Sequence, residues 1–364
     1  MAIQKHFNQF DENIYLSRRS SGYKKAKAKD ESILDEIKTA FKEAGYPVIE
    51  TFLQGSFAVD TAISSLKSDY DIDRALVIDA SKAPEDPVEP KQVVLKVLED
   101  RNFKNPKIKK PCITADYQSI DLHIDYTVYK KGEDIFGNNA YHLAVGKAGS
   151  DQNNKEWSPS DPRGLIGWIR DVERYGAGPL EKGKQYKRLV RYMKRWRDFN
   201  FNEETGKKLF SIGLTVMLKE QYKPGWFSSE IKDDLVALKE AVDGILDDSY
   251  IRAPLFSENY RVFTELPKKP HRDIFQHKVS GGESEPGSDL NLGEQLKNKL
   301  TKLQAELQKA IDQSCEIKQC SILNMIFGDD FAIPEADEKK KAASLVAGAA
   351  LFASAGASGT SQGA

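Results

Sequence analysis

No stretch of the 364 residues reaches the roughly 18 consecutive apolar positions that a membrane-spanning helix needs. No membrane association is therefore expected. Cysteine is scarce as well: Cys112, Cys315 and Cys320 form no even framework and no C-x-x-C pair. That argues for a reducing cytoplasm and against a disulfide scaffold or a structural zinc. The five histidines are scattered, with no metal-ligand spacing. Neither charge sign prevails, since 54 Lys and Arg face 55 Asp and Glu for a net charge of −1, so any basic surface must be a local patch. The opening "MAIQKHFNQFDENIY" carries charges and no apolar h-region, so no signal peptide is expected and the localisation reads as cytoplasmic. What is present is 40% hydrophobic and 30% charged residues, the balance of a globular protein with a substantial core. The length favours two domains.

Periodicity divides the chain. Residues 30–44 place Ile33, Leu34, Ile37 and Phe41 at helical spacing behind Asp30, read as the cap, and before Gly45. Strands are expected at 46–56, 70–79 and in the two runs "KIKKPCITADY" and "SIDLHIDYTVY", the last two joined as a hairpin near Tyr117. Residues 81–90 read as a proline-rich loop and 91–102 as a helix. Beyond about residue 155 helical periods follow one another, interrupted by a loop-like stretch at 278–293. Strands followed by a run of helices predict an α+β fold with a mixed-sheet lobe over 1–155 and a helical lobe over 156–335. Residues 336–364 read as a flexible tail of small residues.

The chemistry is concentrated in "QGSFAVDTAISSLKSDYDIDRALVID", residues 54–79. Alternate strand residues share a face, so Asp71 and Asp73 point together while Ile72 turns to the core. Two adjacent like charges at a buried strand repel, and a divalent cation with oxygen ligands relieves them. A two-metal centre needs a third acid from a neighbouring strand. In "SIDLHIDYTVY" either Asp121 or Asp125 can supply it, with His123 on the same face. Gly55 lets the backbone approach a phosphate, and the Ser56 hydroxyl and nearby amides suit its oxygens.

The set of Gly-Ser, spacer, D-x-D and a later acid resembles the nucleotidyltransferase superfamily that includes DNA polymerase β. Within it, "QGSFAVDTAI", "SDYDIDRALVI", "LHIDYTVY" and "RLVRYMKRWRDF", supported by "SIGLTVM" and "NMIFGDDF", resemble the bacterial cGAS/DncV-like nucleotidyltransferases (CD-NTases), which make cyclic oligonucleotide signals in anti-phage systems. The resemblance implies a bilobed polymerase-β-like fold and a metal site of Asp71, Asp73 and Asp125, with Asp121 as the fallback. It implies two Mg²⁺ ions, for which Mn²⁺ can substitute, and nucleotide contacts from Gln54, Gly55, Ser56, Lys194 and Ser211. The substrates implied are ribonucleoside triphosphates, ATP or GTP, joined into a cyclic di- or trinucleotide with release of pyrophosphate. The chain has no Cys/His cluster like the zinc insertion of the animal enzyme, so no DNA requirement is implied. Some relatives sit beside ubiquitin-conjugation-like enzymes, which makes the tail a candidate handle for such an accessory protein. The rival readings are a linear oligonucleotide synthase, an enzyme transferring nucleotides to RNA or protein, and a non-catalytic nucleotide-binding scaffold.

The segment 182–200 separates by helical geometry into two arcs. Tyr186, Leu189, Val190, Met193 and Trp196 form the apolar one; Lys187, Arg188, Arg191, Lys194 and Arg195 form a basic wedge. Cations here would complete a triphosphate clamp, with Ser211 on the following helix either a contact or merely an N-cap. Trp196 reads as core, and Tyr117 as one candidate for stacking a base.

Overall fold

The computed structural model describes residues 2–64, 70–101, 103–117, 122–149, 151, 154–253, 259–278 and 284–334. The expected tail and the fallback acid Asp121 lie outside them. Helix α1 (Ala2–Ile14) is followed by α2 (Ser21–Glu43), strand β1 (Val48–Leu53), the short α3 (Gly55–Ala58), β2 (Tyr70–Asp79) and α4 (Val88–Asp100). Strands β3 (Lys104–Ile108), β4 (Ile113–Tyr117), β5 (Leu122–Glu133), β6 (Asn139–Val145) and β7 (Glu156–Ser160) complete a seven-stranded mixed sheet. Its order is β1-β2-β5-β4-β3, with β6 on β5 and β7 on β6. Helices α5 (Pro162–Arg170), α6 (Pro179–Asn200), α7 (Glu203–Lys208), α8 (Ser211–Gln221), α9 (Asp234–Asp247), α10 (Leu290–Asp312) and α11 (Glu316–Phe327) build the helical lobe, with four two-residue strands between α9 and α10.

The pleat explains why two carboxylates open a buried strand. Ile72, Leu76 and Ile78 of β2 and Ile124, Tyr126 and Val128 of β5 point into one apolar core, covered by α2 and α4. On the opposite face Asp71 and Asp73 lead into Ala75 and Val77, which join Phe52, Tyr129 and Tyr141 in a smaller apolar cluster. The β2–β5 pairing is parallel and sets Asp71 beside His123 and Asp73 beside Asp125.

Two sequence expectations are corrected. Helix α2 starts nine residues before Asp30, because Ser20 accepts the Tyr23 amide and caps it there. Asp30 sits buried in mid-helix, where it accepts Arg74 Nε at 3.0 Å and the Tyr126 hydroxyl at 3.3 Å. A short buried acid imitates a cap in sequence whenever its partner is distant in the chain. The lobes are also interleaved. Phe7 and Phe10 of α1 pack in the helical core, Phe10 at 5.1 Å from Tyr192 and 4.8 Å from Phe327 between ring centroids, while β7 extends the sheet past residue 155. Each such aromatic side chain contributes about 1.5–3 kcal/mol by burial.

Candidate active site

A cavity of about 420 Å³ opens between the lobes, within the size range of small-molecule sites. Gln54, Gly55, Ser56, Asp71 and Asp73 line it from the sheet side, and Lys194 and Ser211 from α6 and α8. The structure thus brings together seven of the eight residues expected to act. Asp125 is set one strand back, beside Asp73.

The turn is built against the carboxylates. The Gln54 amide donates to the Asp73 carbonyl at 2.8 Å, and Gly55 follows with φ of +56°. A Cβ at Gly55 would stand 1.8 Å from Asp73 Oδ2 and 2.7 Å from its Cγ. Glycine is needed here first because a protein carboxylate lies against the backbone. The Gln54 side chain is clamped from below: Nε2 donates to the Tyr129 hydroxyl at 3.0 Å, and Oε1 accepts from Thr127 Oγ1 at 3.0 Å. Thr127 and Tyr129 follow Asp125 on the site face of β5, so the period-2 pattern could have singled them out. Tyr129 is the sole aromatic residue lining the cavity among the described residues. Of Tyr117 only the strand pairing is described.

Electrostatics mark the pair as under-compensated. Burial and repulsion from Asp71 and Asp125 push the Asp73 carboxyl up to about 8. Burial likewise raises Asp71, with Asp125 adding to it against the His123 charge. Asp125 differs. Burial acts to raise it, but His123, Thr114 and Lys109 outweigh that and hold it below the ordinary carboxylate range. His123, between Asp125 and Asp116, is raised to about 9. Its Nε2 lies 2.7 Å from Thr114 Oγ1 and 3.3 Å from Asp125 Oδ1. That Oδ1 is buried and also faces Lys109 Nζ at 3.8 Å.

Among the described residues no cluster of three or more His, Cys, Asp or Glu side chains stands ready to enclose one ion. The donor chemistry nevertheless fits a hard divalent cation. Two carboxylates share the cavity wall, a third stands one strand away with its buried Oδ1 facing His123 and Lys109, and all are oxygen donors.

The basic wedge of α6 is real, but its destination is not the one expected. Lys187 pairs with Asp60 at 2.9 Å, and Arg188 with Asp234 at 2.7 Å. Arg191 forks onto Asp11 at 2.6 and 2.7 Å and reaches the Asp60 carbonyl at 2.7 Å. Lys194 donates to the Thr61 carbonyl at 2.8 Å, and Arg195 to that of Ser64 at 2.8 Å. Arg18 and Arg170 take the carbonyls of Phe57 and Ala58 from other directions. Residues 57–64, the strap leaving the Gly-Ser turn, are thus gripped by cations along their backbone. Periodicity identified the face; it could not identify the partner. Lys194 alone of the wedge also lines the cavity, and burial, then the nearby Arg197, bring its amine down to about 7. Ser211 is not an N-cap, since Phe210 holds that position; its hydroxyl accepts from Arg197 at 2.8 Å. Trp196 is buried against Phe201, as expected of core.

The family model of the DncV-like cyclic GMP-AMP synthase nucleotidyltransferase domain matches residues 49–129, the segment that carries the turn and all three carboxylates. A cyclic GMP-AMP synthase of Escherichia albertii is 26% identical over 205 residues, 54% of this chain and 42% of that protein. The chain therefore spans under half the length of this curated relative. The fold is shared over nearly the whole chain with solved structures. The CD-NTase CdnG of Bradyrhizobium diazoefficiens, in complex with GTP, has a TM-score of 0.64 at 16% identity, covering 90% of this chain and 96% of that one. CdnC of Escherichia coli MS115-1 with ATP gives 0.59 at 15%, covering 90% and 98%. Residues 49–129 thus resemble the DncV-like nucleotidyltransferase domain. The chain as a whole has the fold of the CD-NTases. No helix among the described residues is long and apolar enough to cross a membrane.

Proposed function

We propose that this chain is a nucleotidyltransferase that joins ribonucleoside triphosphates into a cyclic di- or trinucleotide for anti-phage signalling, releasing pyrophosphate. The observation that carries the reading is the facing pair Asp71 and Asp73 in one cavity with the Gly55-Ser56 turn and Lys194. A non-catalytic scaffold has no need to maintain two mutually repelling, partly desolvated carboxylates. Solved neighbours of the same fold hold GTP and ATP.

Asp71, Asp73 and Asp125 would hold two Mg²⁺ ions, or Mn²⁺, which supply neutralisation of phosphate charge and a lowered hydroxyl pKa when bound. The Ser56 hydroxyl donates to phosphate oxygens, and Gly55 allows the backbone to come close. Lys194, held at Thr61, places its amine beside them, where phosphate charge favours the protonated form that burial disfavours. A 3′- or 2′-hydroxyl of the acceptor, its proton passing to a carboxylate of the site and on to solvent, attacks the α-phosphorus of the donor. The bond to the bridging oxygen breaks, and the electron pair leaves with pyrophosphate. His123 holds Asp125 in its ionised form by charge. A second round in the same cavity closes the ring. A conjugation-type accessory protein acting on residues 336–364 belongs to the same proposal; the neighbour CdnC has been solved with a HORMA partner.

The test is to incubate the purified protein with Mg²⁺ or Mn²⁺ and four labelled nucleoside triphosphates, treat with phosphatase and identify the surviving products by mass spectrometry. Phosphatase-resistant cyclic products are expected, and none from the Asp71→Ala, Asp73→Ala double variant. Undiminished pyrophosphate release by that variant would sink the assignment.

A further inference from the structure

Joining two nucleotides requires two triphosphate groups in the cleft at once: that of the nucleotide attacked, and that of the nucleotide whose hydroxyl attacks. The carboxylate and Gly-Ser end accounts for the first. The α6 wedge is committed to the strap and to Asp11 and Asp234, so the second anionic group must meet cations elsewhere. Among the described residues, three cationic side chains line the cavity: Lys194, Lys269 and Arg272. Lys194 is buried and bonded to Thr61. Lys269 and Arg272 are exposed, and neither side chain makes a hydrogen bond or ion pair with another described residue.

Their backbone is held firmly. The Asp161 amide donates to the Lys269 carbonyl at 3.1 Å, and the Leu266 amide to that of Arg272 at 3.0 Å. Just beyond, the Asp273 carboxylate accepts the Thr264 and Phe275 amides at 3.1 and 3.0 Å. Two unpaired cationic side chains therefore project from a fixed segment that docks at the end of β7. That strand stands three places from β2, through β5 and β6, roughly 14 Å along the sheet at about 4.8 Å per strand. The lining also includes apolar Leu165, Ile166 and Ile212, as suits a base and ribose.

We propose that Lys269 and Arg272 bind the 5′-triphosphate of the acceptor nucleotide, so that the cavity grips one triphosphate at each end. This rests on the proposed function, since only a reaction between two nucleotides needs the second grip. The pair orients the acceptor through its anionic end, and an acceptor that lacks the triphosphate loses this contact.

The experiment compares wild type with the Lys269→Ala, Arg272→Ala double variant, using a fixed labelled donor and either a nucleoside triphosphate or the matching 5′-hydroxyl nucleoside as acceptor. The expected result is an acceptor KM raised at least about tenfold for the triphosphate, with kcat within about threefold, and no change for the 5′-hydroxyl acceptor. Lys269→Arg with Arg272→Lys should restore most of the loss. Calorimetric titration with inorganic tripolyphosphate, which needs no turnover, should show at least about tenfold weaker binding in the double variant. An unchanged triphosphate KM, an equal loss with both acceptors, or unchanged tripolyphosphate binding would overturn the proposal. Absence of pyrophosphate release from wild type with any triphosphate would instead remove the proposed function, and the calorimetry would still decide the role of the pair.

Discussion

Replacing Gly55 by alanine tests the construction of the site more sharply than removing a carboxylate does. Two costs follow from the geometry. At φ of +56° an alanine is in the left-handed region, at about 1–2 kcal/mol. Its Cβ would stand 1.8 Å from Asp73 Oδ2, and relieving such a clash takes about another 1–3 kcal/mol. Gly55→Ala should therefore destabilise the protein by about 3 kcal/mol in the Asp73 background. In an Asp73→Ala background the carboxylate is gone and the nearest remaining Asp73 atom is its Cβ, at 3.3 Å. There the same change should cost only the backbone part, about 1–2 kcal/mol. The assay is urea unfolding of the four proteins of this cycle, followed by circular dichroism in EDTA. Pyrophosphate release by Gly55→Ala should fall about a hundredfold, because displacing Asp73 by an ångström misplaces a group at the reacting centre. Equal destabilisation in both backgrounds would refute the idea that glycine is required by the carboxylate.

Asp234 is fully buried and accepts from Arg188, Gln185 and Tyr192. Asp234→Ala should cost about 3–5 kcal/mol by leaving the Arg188 charge without its partner. Burial would raise the Asp234 carboxyl, but its donors, Arg188 foremost, hold it below the ordinary range. Its stabilisation is present above the unfolded value of about 3.9 and is lost as pH falls through the lower folded value, so Asp234→Asn should flatten the acid limb of a stability-against-pH curve. Lys194→Met should lower kcat as well as stability, because it releases the Thr61 carbonyl as well as removing a charge beside the phosphates. A pure rise in KM would show that Lys194 acts only on substrate.

Much of the site was legible because β-strand geometry is local. Alternation alone placed Asp71 and Asp73 on one face and Ile72 on the other, and β5 repeats the pattern. The apolar arc of α6 was legible for the same reason. Partners distant in the chain were not. Asp30 looked like a cap because Arg74, 44 residues away, is invisible to a window of helical length. The five cations of α6 looked like a phosphate clamp because nothing local announces that residues 57–64 run beside them. Lys269 and Arg272 carry no motif, and only the folding of their segment onto the end of β7 brings them to the cavity.

The strap has a consequence for how this part of the chain tolerates change. Arg18, Arg170, Arg191, Lys194 and Arg195 hold it through the carbonyls of Phe57, Ala58, Asp60, Thr61 and Ser64, and every amino acid offers the same carbonyl. The carbonyl part of the grip is therefore indifferent to side-chain chemistry and sensitive to the path of the backbone, while the ion pairs of Asp60 and the burial of Phe57, Ala58, Val59, Thr61 and Ala62 constrain those side chains separately. Volume-preserving replacements at the buried strap positions should keep the grip, whereas the basic residues facing it should accept few replacements. Substitution on the strap is thus limited by packing and by Asp60, and on α6 by the carbonyls that its basic residues must reach.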